Sequence, residues 1–297
     1  AWLSWVRQQP LSLAAFVPVA ILLLTRSDVC LKAIAILFSI GCAIILSAHW
    51  ARWLQFLYQT PFNRSDPVFQ QDISFFTFDL PIAQLVEFWL MGTILVTFCS
   101  VLLLYLLSGN ALSEGRFPGF SVRQQRHLQV LGGGVMLVMA MRYGLRRYEL
   151  LYSSEGATYG ANFIDIKARL PAESILGLLA GSIGIMLLLR GFFAAYPPKP
   201  KSSYLYKVWH LYEFISPESA IATYFITAVL SSWIVPAILQ RSIVQPNELV
   251  LETPYIERSI NFTRAGFNLD QIEAKTFDPS GNLNPATLQS NYQTIDN

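Results

Sequence analysis

VEFWLMGTILVTFCSVLLLYLLS, residues 86–108, carries a single charged side chain, Glu87. A helix needs ~20 mostly apolar residues to cross a bilayer, and this run has them. Its apolar character is continuous rather than alternating, which selects a helix over a barrel strand, the other structure that satisfies every backbone group inside lipid. The whole chain follows the same rule. It is 53% hydrophobic and 13% charged, with mean hydropathy +0.42, against roughly 25% charged residues in an ordinary soluble domain. The expected class is all-α, a polytopic transmembrane helix bundle of about six spans. Long interfacial loops and the start of an extracytoplasmic domain complete it.

Working outward, apolar runs at 11–25, 30–49, 82–108, 127–144, 172–193 and 219–240 give the six candidate spans. The second is expected to continue through WARWLQFLYQ as an interfacial extension, with Trp50, Trp53, Phe56 and Tyr58 as an aromatic belt. Pro171 suits a helix start, and Pro236 a kink. After residue 245 charge returns. Thr253 reads as an N-cap with Pro254 at the first helical position and Glu257 in the first turn, and Gly266 as the helix end. The chain divides into a transmembrane helical domain, 1–244, and the start of an extramembrane C-terminal region, 245–297. It opens without Met and ends in a polar tail, as a piece of a longer protein would. Lys and Arg are split almost evenly between the two sets of loops, with a slight lean that puts 63–81, 145–171 and the tail outside the cytoplasm.

The function classes narrow mainly by exclusion. A net charge of +2 and no Lys/Arg-rich tract give no nucleic-acid partner. No HExxH, GxSxG, Walker or GxGxxG pattern occurs. Cys30, Cys42 and Cys99 have neither disulfide nor zinc spacing, and His49, His127 and His210 fall at span ends or in loops, so no cofactor is expected. Gly132, Gly133 and Gly134, and the GxxxG pair Gly177 and Gly181 with Gly184 one turn on, read as close helix packing. Glu87 is the charge inside a span, which makes it a functional candidate.

Two loops stand out. NRSDPVFQQDISFFTFDLP, 63–81, reads as an Asp-Pro turn followed by an aromatic segment seated at the interface, with Asp66 and Asp72 capping backbone N–H groups. The loop at 145–171 carries Arg146, Arg147, Lys167 and Arg169. Those four residues suit either a phosphate or headgroup site or an ion-paired structural loop, and the loop is favoured. Ile164, Ile166 and Ala168 alternate with Asp165, Lys167 and Arg169 as a short amphipathic surface stretch.

Three blocks of sequence resemble an uncharacterised family of large bacterial membrane proteins found in actinobacteria and cyanobacteria. The first is Thr60-Pro61-Phe62, Asp66-Pro67, Phe69, Asp72, Ser74-Phe75 and Leu80-Pro81. The second is Arg147-Tyr148-Glu149-Leu150-Leu151-Tyr152 with Ala168-Arg169-Leu170-Pro171. The third is Pro246-Asn247-Glu248, Pro254-Tyr255-Ile256-Glu257-Arg258 and Thr263-Arg264. Asn162-Phe163-Ile164-Asp165 departs from the family's Ser/Asn-Tyr-Thr-Asp run. The resemblance implies several N-terminal spans followed by a large extracytoplasmic domain, and it brings no reaction, substrate or cofactor. The candidate interface residues are Asp66, Phe69, Asp72, Phe75, Arg147, Tyr148, Glu149, Arg169, Glu257 and Arg258, with Gly177 and Gly181 for helix packing. The expected function is a non-enzymatic scaffold, anchor or accessory subunit in the bacterial cell membrane, or the thylakoid membrane in a cyanobacterium. Its partners would be the lipid bilayer and other membrane subunits. A transporter or channel is the alternative.

Overall fold

The computed structural model describes residues 26–107, 119–154, 156, 158–193, 216–272 and 284–292. The expected span at 11–25, His210 and the last residues of the tail lie outside these. The described residues are helical with no named strand, and five helical stretches are long and apolar enough to cross a membrane. In chain order the elements are α1 (Ser27–Ala48), α2 (Trp50–Leu57), α3 (Leu80–Leu107), α4 (Val122–Glu149), α5 (Leu170–Phe193), α6 (Pro217–Val229), α7 (Val235–Leu239), α8 (Glu248–Gly266) and α9 (Pro285–Ser290). The contacts form two units, Ala1–Tyr255 and Ile256–Asn297.

In the first unit α4 and α5 form the central pair. Met136 and Tyr143 of α4 pack with Leu176, Ala180, Ile183 and Leu187 of α5 and Tyr224 of α6. The phenolic oxygens of Tyr143 and Tyr224 are 2.9 Å apart in the buried interior, so a polar pair inside the bundle is mutually satisfied. Glycine sets the α4–α5 separation: a Cβ on Gly133 would lie 2.9 Å from the Gly184 carbonyl oxygen, and one on Gly184 3.0 Å from that of Gly133. Gly177 faces Tyr143 and Ala140, and Gly181 faces Ala140. The small residues thus bring two backbones of the same chain together. The outer faces are apolar and bare, with Leu37, Phe88, Leu178 and Phe225 all more than half exposed. A water-soluble bundle hides such residues, whereas a membrane bundle turns them to lipid.

Four wide turns with five-residue spacing explain the prolines. Turns at Phe75–Asp79, Asp165–Arg169, Leu230–Ile234 and Gln240–Val244 are π-helical, and each stands two residues before a proline: Pro81, Pro171, Pro236 and Pro246. In each the residue before the proline donates its N–H five residues back, as Leu80 does to Phe75 and Leu170 to Asp165. A proline inside an α-helix has no N–H to give, and its ring strikes the carbonyl four residues earlier. Widening the preceding turn moves that carbonyl aside and lets the helix continue.

Several expectations are corrected by this device. Pro171 does not start a helix: the helical run begins at Phe163 and passes through it. ISFFTFDLP is not a separate interfacial loop, because helix begins at Ile73. The 164–169 alternation is not a surface stretch either; Ile164, Asp165 and Ala168 are buried. Thr253 is no N-cap, since α8 starts at Glu248, runs through Pro254, and has the Thr253 hydroxyl donating to the Leu249 carbonyl. The helix does end at Gly266. The break after α1 falls at His49, and α2 is a separate short helix carrying Trp50, Trp53 and Phe56.

The second unit holds the end of α8, a tight turn entered through Asn268 in the left-handed region (φ 56°), and α9 capped by Asn284. Arg264 pairs with Asp270 there at 3.0 Å. Glu257 and Arg258 lie exposed along α8 in this unit.

Candidate functional site

One end of the bundle gathers residues far apart in sequence. The segment at 62–74 folds on its two aspartates. Asp66 Oδ2 accepts the N–H groups of Val68 and Phe69 at 2.8 and 2.6 Å. Asp72 accepts from Ser74 at 2.8 Å, Phe62 at 3.1 Å and Arg64 at 3.2 Å. Ser65 and Asp72 form a single antiparallel bridge, while Asn63 and Gln70 take positive φ to close the turns. Both carboxylates therefore bind backbone, as a capping role requires.

The Ser74 N–H, then its hydroxyl, then the Phe62 and Arg64 N–H groups hold the Asp72 carboxyl below the usual carboxylate range. A depressed folded value means that its stabilisation is complete above ~3.9, the free aspartate value, and is lost as the pH falls through the folded one. Acid should therefore loosen residues 62–74, raising their amide exchange below about pH 4. Asp72→Asn should leave the segment loosened at neutral pH with a flatter acid response. Unchanged acid dependence in the variant would refute the assignment.

The segment docks on the end of α4 through rings. Tyr148 sits 4.8 Å from Phe69, 4.9 Å from Phe75 and 6.2 Å from Phe76, by centroids. The Tyr152 hydroxyl donates to the Phe76 carbonyl at 3.0 Å. That carbonyl needs the donor: Leu80 N–H is spent on Phe75, and the next residue, Pro81, has none to give. Gln84 of α3 donates to Glu149 at 2.9 Å.

Ion pairs bind the neighbouring helices. Glu87 of α3 meets Arg142 at 3.2 Å, and Glu173 of α5 meets Arg146 at 3.2 Å, so two arginines one turn apart on α4 reach opposite neighbours. Both glutamates are deeply buried, and each leaves one carboxylate oxygen without a hydrogen-bond partner. Arg147 Nε is likewise buried and unpartnered. At the start of the α5 run, Asn162 and Asp165 cap each other: the Asp165 N–H donates to Asn162 Oδ1 at 2.8 Å and the Asn162 N–H to Asp165 Oδ2 at 3.2 Å. This is a capping box without a hydroxyl residue, built from the two positions of 162–165 that keep the family's run. Asp165, fully buried, also pairs with Arg169 at 3.1 Å.

The stretch before and into α8 closes this end. Val244 packs on Ile164 and Ala168. Glu252 accepts the Phe163 N–H, with both carboxylate oxygens 3.3 Å away. That N–H is one of the donors a helix start leaves open. Tyr255 stands edge-on to Phe163, 6.3 Å between centroids.

A polar cleft of about 380 Å³ opens between the end of α4, the start of α5 and the wide turn after α6. Arg146, Glu149, Arg169 and Glu173 line it with Ser231, Ser232 and Trp233. Lys167 is exposed and does not line it. At the other end of the same helices, a larger hollow of about 720 Å³ is bordered by Arg126, Arg190 and Glu218.

The structure thus joins Asp66, Phe69, Asp72, Phe75, Tyr148, Glu149 and Arg169 into one end of the first unit. Sequence reasoning missed Glu173, Glu252 and Trp233. Glu173 carried a readable signal, an acid two residues past Leu-Pro at the head of an apolar run. Glu252 carried none, because its partner is a backbone N–H distant in sequence.

A family model described as "Uncharacterised protein family (UPF0182)" matches residues 7–297. The chain belongs to the UPF0182 family. A UPF0182 protein of Nostoc sp. is 43% identical over 292 residues, 98% of this chain and 28% of the relative. One from Microcystis aeruginosa is 42% identical over 93% of this chain and 28% of the relative. A third, from Synechocystis sp., is 36% identical over 90% and 26%. The chain therefore spans less than a third of the length of these curated relatives. No solved structure matches it. With its bare apolar helices, this UPF0182 chain is a multi-spanning membrane protein.

Proposed function

We propose that this chain is a non-enzymatic membrane anchor and assembly platform, the part of a UPF0182 protein that holds a larger extramembrane body or partner subunits at the bilayer. One observation carries the reading: the first two sequence blocks, and the third as far as Tyr255, meet at one end of the first unit, where carboxylates hold the backbone in place. Asp66, Asp72, Asp165 and Glu252 all accept backbone N–H groups. Carboxylates used in this way build a rigid face rather than a reaction centre. Such a platform works without a cofactor. Its surroundings are the lipid bilayer and other membrane subunits, in the bacterial cell membrane or the thylakoid membrane, with the capped end outside the cytoplasm.

The test is a pull-down of the complete protein in mild detergent, with mass spectrometry of what accompanies it. A partner at fixed stoichiometry, lost when the 62–74 segment is replaced, is the expected result. A protein that runs alone and monodisperse would overturn the accessory-subunit reading.

A second reading, a transporter or channel, is favoured by the buried Glu87 with its open carboxylate oxygen near the end of a spanning helix. Solute flux in liposomes that Glu87→Gln abolishes would support it, and the absence of flux would count against it.

A further inference from the structure

We propose that the polar cleft between α4, α5 and the turn after α6 binds a neutral, polyhydroxylated ring, the chemistry of a sugar. The cleft has the size of a small-ligand site and lies at one end of the spanning helices. Its lining mixes both signs, Arg146 and Arg169 with Glu149 and Glu173, and both arginines are already paired inside the protein, Arg146 with Glu173 and Arg169 with Asp165. A cleft whose arginines are already paired inside the protein offers little to a simple anion.

What it offers is hydrogen-bonding capacity. Glu173 is 93% buried in its side chain, yet Oε2 has no partner. A buried carboxylate oxygen left without a donor is costly, and a ligand hydroxyl supplies that donor. The Arg146 guanidinium has five N–H groups to share and turns a half-exposed side chain to the cleft. Ser231 directs its own hydroxyl hydrogen to the Thr227 carbonyl at 2.7 Å, leaving its oxygen to accept. Trp233, 78% exposed, adds a flat apolar face at the rim. Carboxylate acceptor, guanidinium donor, hydroxyls and a bare indole together match the alternating polar edge and apolar face of a sugar ring. The wide turn before Pro236 contributes Ser231, Ser232 and Trp233 to this wall.

The ring could come from a glycolipid headgroup or from a free saccharide, and the experiment separates them. The complete protein is purified in an amine-oxide detergent, because a maltoside detergent carries its own sugar. It is then placed in nanodiscs with equal mole fractions of monogalactosyl diacylglycerol, phosphatidylcholine and phosphatidylglycerol. Native mass spectrometry should find the galactolipid retained over the other two by roughly tenfold, about the worth of one charge-assisted hydrogen bond. Saturation-transfer NMR with methyl β-galactoside reads the free sugar. Transfer there assigns the site to saccharides in general, and retention of the lipid alone assigns it to a headgroup.

Glu173→Gln and Trp233→Ala should each remove most of the preference. Trp233 is too exposed for its loss to disturb the fold, so that variant stays informative if Glu173→Gln fails to assemble. Equal retention of the three lipids with no transfer from the free sugar would overturn the proposal. So would a galactolipid preference that both variants leave intact, since the sugar would then sit elsewhere.

Discussion

Gly133→Val is expected to prevent stable assembly of the bundle, while Gly144→Ala on the same helix leaves it intact. A Cβ on Gly133 would lie 2.9 Å from the Gly184 carbonyl oxygen, 2.9 Å from Leu188 Cγ and 3.0 Å from the Leu188 nitrogen. Two of these atoms are backbone of α5, so no rotamer change relieves the clash. The helices must separate, and the separation opens the Met136, Tyr143, Leu176 and Ala180 core. Overpacking where side chains can adjust costs about 1–3 kcal/mol. Here the cost should be at the top of that range or above it, a large share of the ~5–15 kcal/mol that holds a typical protein folded. Gly144 has nothing within 4 Å of its missing Cβ. Alanine there gains helix propensity, worth up to about 1 kcal/mol. Thermal denaturation followed by size exclusion in detergent compares the two. Equal melting temperatures would show that α4 and α5 do not depend on this contact.

Gly133 and Gly184 also show how much of the bundle was legible in the sequence. Glycines in apolar runs signal close backbone approach, and the runs themselves place the spans, because lipid leaves a chain few alternatives. Which helices meet was not legible, since GxxxG carries no address. Nor were the true helix starts. The usual proline rule makes Pro171 and Pro254 helix openers. In this chain Pro81, Pro171, Pro236 and Pro246 each follow a turn widened to accept them. The rule fails because neighbouring helices supply what the proline removes, as Tyr152 does for the Phe76 carbonyl.

The candidate site divides in the same way. Asp66 and Asp72 were readable as caps because their partners lie within a few residues, and local geometry is what short sequence patterns encode. The pairing of Tyr148 with Phe69 and Phe75 spans some seventy to eighty residues, and no periodicity connects them. The three family blocks were conspicuous as strings, but strings do not show that they are one object. The structure places the first two, and the third as far as Tyr255, side by side in the first unit, which gives an interior reason for their composition: aromatic rings from one block, a tyrosine from the next, and a helix-capping glutamate, Glu252, just before the Pro254-Tyr255 of the third.

That arrangement makes Tyr148 the residue whose loss should undo this end of the protein. Its ring is the shared neighbour of Phe69, Phe75 and Phe76. Edge-to-face pairs contribute about 0.5–1.5 kcal/mol each beyond simple burial, and deleting a packed aromatic side chain costs about 3–5 kcal/mol. Tyr148 is only partly buried, so Tyr148→Ala should cost about 3 kcal/mol, near the bottom of that range. The loss should be local. The α4–α5 core lies further along the helices and keeps its glycine contacts, whereas 62–74 rests on this ring through Phe69 and is followed directly by Phe75 and Phe76. Limited proteolysis should therefore cut Tyr148→Ala within 62–74 under conditions that spare the parent protein. Tyr148→Phe keeps the ring and should resist cleavage. Tyr152→Phe should fall between them, because it strands the Phe76 carbonyl at a cost of about 1–3 kcal/mol but leaves the rings packed. If 62–74 stays protected in Tyr148→Ala, the segment is held by something other than these rings, and the platform must be built from the Asp165–Arg169 and Glu252–Phe163 contacts instead.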